Sequence, residues 1–267
     1  MNVAGAVVQL FISLLVPVGL ILYGSKKGWL SWKALGVGAV VFLVFSQVLE
    51  KALHIAVLEP GRPALKGTDS VWLFVLYAVL AAGVFEELGR YVGFRWLLKQ
   101  HRGYGDGLSF GLGHGGTEAV LLGVVGAVNV IVLASLIQSG SFDKTIAPSL
   151  PAGQAELIKE QVLHTPFAMY VLGGLERLFA LTVHVALSLL VLFGVRERQF
   201  RYVLYAILIH AAMDVMPALY QAKVVTNVWA VEAVLLVWAI AAVSFIRRMK
   251  TGIRTGRREN DDSCKTA

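Results

Sequence analysis

Seven segments of this 267-residue chain are long and apolar enough to cross a lipid bilayer as helices. A helix rises about 1.5 Å per residue, so about 20 apolar residues span the hydrocarbon core. The predicted spans are Ala4–Tyr23, Ala34–Leu58, Val71–Leu98, Phe110–Ile137, Phe167–Val195, Tyr202–Leu219 and Asn227–Ile246. With 57% hydrophobic and 15% charged residues, the chain is too apolar for an ordinary soluble domain. The sequence therefore predicts an all-α fold, a polytopic membrane helix bundle.

The distribution of Lys and Arg predicts how these spans are oriented, because cations are retained on the cytoplasmic side of a membrane. If the N-terminus is outside, 16 of the 24 cations fall in cytoplasmic segments and 5 in outer loops. This split predicts an N-out/C-in topology and explains the net charge of +7 without a nucleic-acid partner. The basic stretch that begins at Arg247 is predicted to lie next to anionic lipid.

The remaining segments complete the predicted organisation. Residues 1–250 are predicted to form a single transmembrane domain, with a core of spans that carry ionisable residues at about 71–217. One long loop, residues 140–165, contains a predicted amphipathic helix at Ala152–Leu163. Residues 251–267 are predicted to be a polar, disordered cytoplasmic tail, and the single cysteine, Cys264, lies there without a partner for an internal disulfide. At the outer end of the second span, Glu50 and Lys51 are predicted to reach the interface near His54.

Ionisable side chains occur inside four consecutive spans, the third to the sixth. A charge in a span costs about 2.5–3.5 kcal/mol on insertion scales, so such residues mark paired or functional polar sites. A spacing of four places His114 and Glu118 on one helix face. The same spacing relates His210 to Asp214. The pattern predicts one shared polar site, drawn from Glu86, Glu87, Arg90, His114, Glu118, Glu176, Arg177, His184, His210 and Asp214.

Three short motifs follow one another along these spans. They are Glu-Glu-x-x-Arg at 86–90, Phe-x-x-x-His at 110–114 and His-x-x-x-Asp at 210–214. Their order resembles that of the glutamate-dependent intramembrane proteases, the superfamily that includes the CAAX prenyl endopeptidases. The runs EELGRYVGFRWLLK and GLGHGGTEA are similar to the YhfC family, a bacterial branch of that superfamily. The resemblance covers residues 71–217. It implies an enzyme of the bacterial cytoplasmic membrane that hydrolyses peptide bonds of membrane-embedded or lipid-anchored proteins.

The resemblance also implies a role for each residue. Glu86 would activate a water molecule that His114 holds or polarises. His210 and Asp214 would line the place where the oxyanion develops. Glu87 and Arg90 would shape and neutralise the site. From their positions in the spans, Glu118, Glu176 and His184 are further supporting residues, and Glu118 is predicted to orient His114. An interhelical hydrogen-bond network is an equal alternative for Glu176 and His184. The chain departs from the CAAX-protease pattern, since two residues rather than three separate the second Glu from the Arg, and Asp214 replaces an Asn. An ionised Asp214 would oppose an oxyanion, so it would stay protonated, orient His210 or help to bind a metal.

Metal-assisted hydrolysis is an alternative to activation of water by Glu86 alone. Glu86, His114 and His210 could supply three ligands to a zinc ion and leave a fourth position open. The sequence contains no His-Glu-x-x-His motif, so it favours the glutamate-type mechanism without a cofactor.

Two other functions stay open at this level: a proton-coupled transporter and a catalytically inactive membrane scaffold. Intramembrane carboxylates and histidines also build proton relays. However, the paired interrupted helices of an inverted repeat are not evident in the sequence. The favoured prediction is an intramembrane peptidase whose partners are membrane lipid and a membrane-anchored peptide substrate.

Overall fold

The computed structural model describes residues 2–151 and 153–263, with side chains up to residue 250. Within these ranges the chain forms helices, turns and isolated bridges, without a β-strand. Seven of the described helices are long and apolar enough to cross a membrane. They are α1 (Val3–Lys26), α2 (Trp32–Val57), α3 (Val71–Leu97), α4 (Tyr104–Gln138), α5 (Phe167–Arg196), α6 (Arg201–Gln221) and α7 (Val228–Ser263). The predicted all-α, multi-pass membrane fold is confirmed, whereas the N-out/C-in orientation stays a prediction.

One difference from the predicted spans concerns the start of α4. This helix begins at Tyr104 rather than Phe110, so His114 lies ten residues after the helix start. The glycine-rich run folds as a helix because glycine permits a close approach of backbones. A Cβ at Gly113 would overlap the carbonyl oxygen of Leu35 on α2, and one at Gly38 would overlap that of Phe110. Glycine at these two positions brings α2 against the turn that carries His114.

Three of the membrane helices contain a π-helical stretch within the described residues. These stretches are Phe42–Glu50 in α2, Gly93–Leu97 in α3 and Ala119–Val124 in α4. A wide turn of this kind shifts the face on which the following side chains lie, and it is frequent at functional sites. The stretch in α2 ends at Glu50, which the widened turn directs into the protein.

The sequence also predicts the structure of two segments outside the membrane spans, the long loop and the C-terminal tail. A helix at Gln154–His164 matches the predicted amphipathic segment, whose first residue, Ala152, lies outside the described residues. The backbone of α7 continues to Ser263, into the segment for which the sequence predicts disorder. A helix already nucleated by an apolar segment is extended at little cost by good helix formers such as Arg and Lys. Cys264, which the sequence places in this tail, lies outside the described residues.

The described chain divides into two compact units. The first unit comprises residues up to Leu20 together with Glu118–Leu178, and the second comprises Ile21–Thr117 and residues from Phe179 onward. The second unit contains a large apolar core, which includes Phe94, Phe110, Leu187, Val191, Val203 and Leu235. All three sequence motifs lie in this second unit. The single transmembrane domain predicted from the sequence stays a prediction.

Close packing of α3 against α6 positions the site within the second unit. A Cβ at Gly83 of α3 would lie 2.8 Å from the carbonyl oxygen of Ile207 on α6. Only a residue without a side chain permits this distance between helices, as in small-residue contacts of membrane proteins. Glu86 and His210 each lie within one helical turn of this contact. The approach of the two helices therefore brings the first and third motifs together.

Candidate active site

Glu86 lies at the centre of a buried polar cluster in the second unit, to which α3, α4, α5 and α6 each contribute. Its Oε2 lies 2.8 Å from His114 Nε2, 3.6 Å from His184 Nδ1 and 4.0 Å from His210 Nε2. Glu86 is 6% exposed and the three histidines are at most 2% exposed. One carboxylate and three imidazoles from four helices thus converge, as the sequence predicts for Glu86, His114 and His210.

Arg90 compensates the negative charge of this cluster from one helical turn further along α3. Its guanidinium bonds to Glu87 Oε1, lies 3.4 Å from Glu86 Oε2 and donates to His184 Nδ1 at 2.5 Å. The side chain is fully buried. A buried charge is tolerated only when it is paired and hydrogen-bonded, and the i+3 and i+4 spacings supply both carboxylates locally. In the Glu-Glu-x-x-Arg motif, one cation therefore pairs with two carboxylates and also orients His184.

Glu87 holds His210, which places the two adjacent glutamates in different roles. His210 Nδ1 lies 2.7 Å from Glu87 Oε1, and an N–H at this nitrogen donates to the carboxylate. His210 Nε2 lies 3.4 Å from Asp214 Oδ2, one turn further along α6. Carboxylates at both nitrogens fix the orientation of the ring. Glu86 thus faces the cluster of imidazoles, while Glu87 orients one of them.

His114 is positioned by packing as much as by hydrogen bonds. The ring of Phe42 meets it edge-on with 5.1 Å between the ring centroids, and Phe110 lies one turn before it on α4. Its Nδ1 is buried and has no hydrogen-bond partner among the described residues. Since a buried polar atom normally has a partner, this nitrogen marks a place for a water molecule or another small group.

The donor set fits a divalent metal. Within the described residues, Glu86, His114 and His184 offer ligand atoms that all lie within 4.8 Å of one another. Two histidines and one glutamate form a typical catalytic zinc set with an open position. The sequence names His210 as the third ligand, whereas the structure brings His184 into this group. His210 is instead oriented by carboxylates at both nitrogens, Glu87 and Asp214. Arg90 competes for the set, because its N–H occupies His184 Nδ1.

The remaining supporting residues, Glu118 and Glu176, belong to the first unit. Arg177 donates to Glu118 Oε1 at 2.6 Å and also bonds to Glu176 Oε1. Gly123 leaves room for this arginine, since a Cβ there would lie 3.2 Å from Arg177 Cγ. The sequence assigns Glu118 to the orientation of His114, and the structure gives it an ion pair with Arg177. Supporting roles for Glu118 and Glu176 in the site stay predictions.

Glu50 is a further candidate for a functional residue, although the sequence predicts that it lies at the membrane–water interface. The structure buries it to 6% exposure, with His54 Nε2 3.3 Å from its Oε1. His54 Nδ1 lies in turn 2.9 Å from the hydroxyl of Tyr77. Glu50 lies within electrostatic reach of Glu86, whereas an interfacial carboxylate would be screened by water. The available signal was its i, i+4 spacing to His54, the same spacing that relates His210 to Asp214.

Comparisons with known proteins place the chain in a family. The model of the YhfC intramembrane metalloprotease family matches residues 12–235, a range that includes every residue of the buried cluster. The "Uncharacterized membrane protein YhfC" of Bacillus subtilis (strain 168) is 39% identical over 240 residues, which cover 90% of this chain and 93% of that protein. No solved structure matches the chain. The protein, an integral membrane protein with a buried Glu/His cluster, therefore belongs to the YhfC intramembrane metalloprotease family.

Proposed function

We propose that the protein is an intramembrane peptidase that hydrolyses a peptide bond of membrane-embedded or lipid-anchored proteins. The observation that carries this proposal is the convergence of Glu86 with three buried histidines from separate helices. The description of the matching family as intramembrane metalloproteases supports it. Amide hydrolysis needs an activated water, a donor for the developing oxyanion and an acid for the leaving amine, and this cluster contains groups for each.

The donor set supports a metal-assisted mechanism. Glu86, His114 and His184 would hold a divalent cation such as zinc. When bound, such an ion would polarise the scissile carbonyl and lower the pKa of a water molecule. Arg90 limits the excess negative charge of the two glutamates. Gly113 and Phe42 hold the ring of His114, so that its Nε2 stays directed at Glu86.

His210 is the group best suited to move a proton. Its Nδ1–H is held by Glu87, so the ring cannot rotate freely and Nε2 faces Glu86 and Asp214. An imidazole between carboxylates gains a proton readily in the transition state and can return it to the leaving amine. This role would explain why Glu87 is fully buried. Its carboxylate orients His210 and has no described contact with His114 or His184.

The sequence favours a second mechanism, in which Glu86 activates water without a metal. It uses the same residues, but Glu86 is a general base and not a metal ligand. The hydrogen bond from Arg90 to His184 Nδ1 favours this second mechanism, because it occupies a ligand nitrogen. The water would then bind beside the Glu86 carboxylate, whose Oε2 His114 Nε2 already contacts directly at 2.8 Å. The two mechanisms differ in whether removal of metal abolishes hydrolysis.

The test is hydrolysis of a panel of membrane-anchored and lipid-anchored peptides by the purified protein in lipid vesicles, with products identified by mass spectrometry. Wild-type protein should cleave at least one class, and Glu86→Ala should lower the rate by about 10²–10⁴-fold. Equal cleavage by both proteins would show that Glu86 has no role in the reaction. Chelation followed by zinc addition then separates the mechanisms, since only the metal-assisted reaction is lost and recovered.

A further inference from the structure

A cavity of about 160 Å³ lies between α5, α6 and α7 in the second unit. All of its lining side chains are apolar. Leu187 and Leu190 on α5 form a buried wall, and Trp238 and Phe245 line the cavity from α7. Ala241, on the same helix, is exposed, so the cavity opens toward the lipid-facing side of α7. An apolar cavity of this size holds an apolar group rather than water, and a membrane offers acyl chains at its mouth.

The cavity lies close to an end of the bundle that is rich in arginine. Leu190 is about 9 Å from Arg196 along the axis of α5, and Ile209 is about 12 Å from Arg201 along α6. On α7, the cavity residue Phe245 is followed within three positions by two arginines. Among the described side chains, the arginines at this end of the three helices and in the connection between α5 and α6 are Arg196, Arg198, Arg201, Arg247 and Arg248. A molecule that reaches from the cavity to this end would span about two helical turns.

The connection between α3 and α4 adds cations beside the same end of α7. The Tyr104 hydroxyl donates to the carbonyl oxygen of Ile246 at 3.0 Å, which joins the start of α4 to the rim of the cavity. Arg102, two residues earlier, uses its hydrogen bonds on the carbonyl oxygens of Phe94 and Arg95. Burial, followed by the like charges of Arg95 and Arg198, holds the pKa of the Arg102 guanidinium below its ordinary value. Arg95 and Arg198 are thus each close enough to Arg102 to repel its charge.

We propose that this end of the second unit binds an anionic phospholipid, with its phosphate against Arg102 and Arg198 and an acyl chain in the cavity between α5, α6 and α7. A phosphate is the natural counter-ion for clustered guanidiniums, because it accepts paired hydrogen bonds from them. Basic groups above a space between membrane helices are typical of sites for anionic head groups. A net negative lipid satisfies the arginine cluster, whereas the head group of a zwitterionic lipid carries its own cation.

The bound chain would contact the helices that carry two of the buried imidazoles. Val183 and Ile209 line the cavity and directly precede His184 and His210 in the sequence. Filling the cavity stabilises the packing of α5 on α6 at this level, since unfilled apolar space forfeits van der Waals contacts. The lipid would therefore be a structural ligand of the unit that holds the site, and its binding does not depend on the proposed peptidase activity.

Trp238 provides a direct probe, because bromine atoms on an acyl chain quench tryptophan fluorescence on contact. The protein is reconstituted in vesicles that contain a fixed fraction of brominated phosphatidylglycerol or, separately, brominated phosphatidylcholine. The difference between wild type and Trp238→Phe isolates the signal of Trp238. Trp229, on the same helix and 62% exposed, is the matched control, isolated by Trp229→Phe. We expect the Trp238 signal to be quenched more strongly by the anionic lipid and the Trp229 signal equally by both.

Charge variants test the head group. The preference for the anionic lipid is the ratio of Trp238 quenching by brominated phosphatidylglycerol to that by brominated phosphatidylcholine. Arg198→Gln and Arg102→Gln should each lower this ratio by about fivefold. Arg198 is exposed, so Arg198→Gln should leave the fold intact. This variant keeps the test valid if Arg102→Gln, which loses hydrogen bonds to the backbone, fails to fold. Arg62→Gln, in a loop and ion-paired with Asp69, should have no effect. Equal quenching of Trp238 by both lipids, or a preference that survives both arginine variants, would overturn the anionic head group. Absence of quenching by either lipid would overturn occupancy of the cavity by an acyl chain.

Discussion

Each compact unit contains, within its described membrane spans, a group of charged side chains in which an arginine lies between two carboxylates. In the second unit, Arg90 contacts Glu86 and Glu87 and is fully buried. In the first unit, Arg177 contacts Glu118 and Glu176, and its side chain is 14% exposed. The arginine with two carboxylates is thus a means of holding charge in a membrane and does not by itself identify a catalytic site.

The histidines distinguish the two groups. Three imidazoles contact the carboxylates of Arg90, whereas the described ion pairs of Arg177 are to carboxylates. An imidazole can bind a metal, accept a proton or donate one near neutral pH, which an arginine cannot do. From this comparison we expect the chemistry at the cluster of the second unit and a structural role for that of the first. Each of the following measurements tests this difference.

The largest expected effect is on hydrolysis. His210→Gln should lower the rate by about 10²–10⁴-fold, because Glu87 then orients an amide that cannot take a proton. Glu176→Gln, in the cluster of the first unit, should leave the rate near that of wild type. Initial rates on one membrane-anchored peptide, at equal amounts of folded protein, give the comparison. A similar loss in both variants would show that the two clusters do not differ in catalytic importance.

Stability should respond next. Arg90→Met leaves two buried carboxylates without their cation and should cost about 3–5 kcal/mol of unfolding free energy. Arg177→Met should cost less, since Glu176 is 34% exposed and keeps some contact with polar surroundings. Reversible unfolding in mixed detergent and lipid micelles measures both values. If Arg177→Met were the more destabilising of the two, the first unit would hold the more tightly coupled charge network.

Metal binding sharpens the assignment of ligands. His184→Ala should abolish measurable zinc binding, whereas His210→Ala should lower the affinity by about 10–100-fold, as for a residue adjacent to the ligands. Competition with a chromophoric chelator measures these constants, and Glu118→Gln is the control from the first unit. A greater loss with His210→Ala than with His184→Ala would restore the ligand set that the sequence predicts. No zinc binding by the wild-type protein would favour activation of water by Glu86 alone.

The smallest effect is expected from glycines near each cluster. Gly113→Ala adds a methyl group that overlaps the Leu35 carbonyl oxygen, and it should destabilise the protein by about 1–3 kcal/mol. Gly126→Ala meets open space and should stabilise its helix by about 0.5–1 kcal/mol. Thermal unfolding of both variants provides the measurement. A neutral result for Gly113→Ala would mean that α2 and α4 are free to separate beside His114.

Much of the site was predictable because its residues lie in short local motifs. Apolar length located the spans, and the i, i+4 spacing of His210 and Asp214 placed both on one helix face. The order of the motifs then predicted that Glu86 and His114 meet. His184 was harder to assign, since it belongs to none of the three motifs and enters the ligand group only through the packing of α5. Glu50 was placed at the interface because a π-helical stretch redirects it, and no simple periodicity reveals such a stretch.

The sequence alone determined the all-helical, seven-span fold and the pairing of charges one turn apart. These are local properties, because a bilayer offers no partner to unpaired backbone groups and each apolar segment must therefore satisfy its own hydrogen bonds as a helix. The tertiary structure decided which imidazole faces which carboxylate. His184 and Glu86 are far apart in the chain, and the distance between them depends on how closely helices pack at glycines such as Gly83 and Gly113. That packing is a property of whole helix surfaces, which the spacing of a few polar residues does not encode.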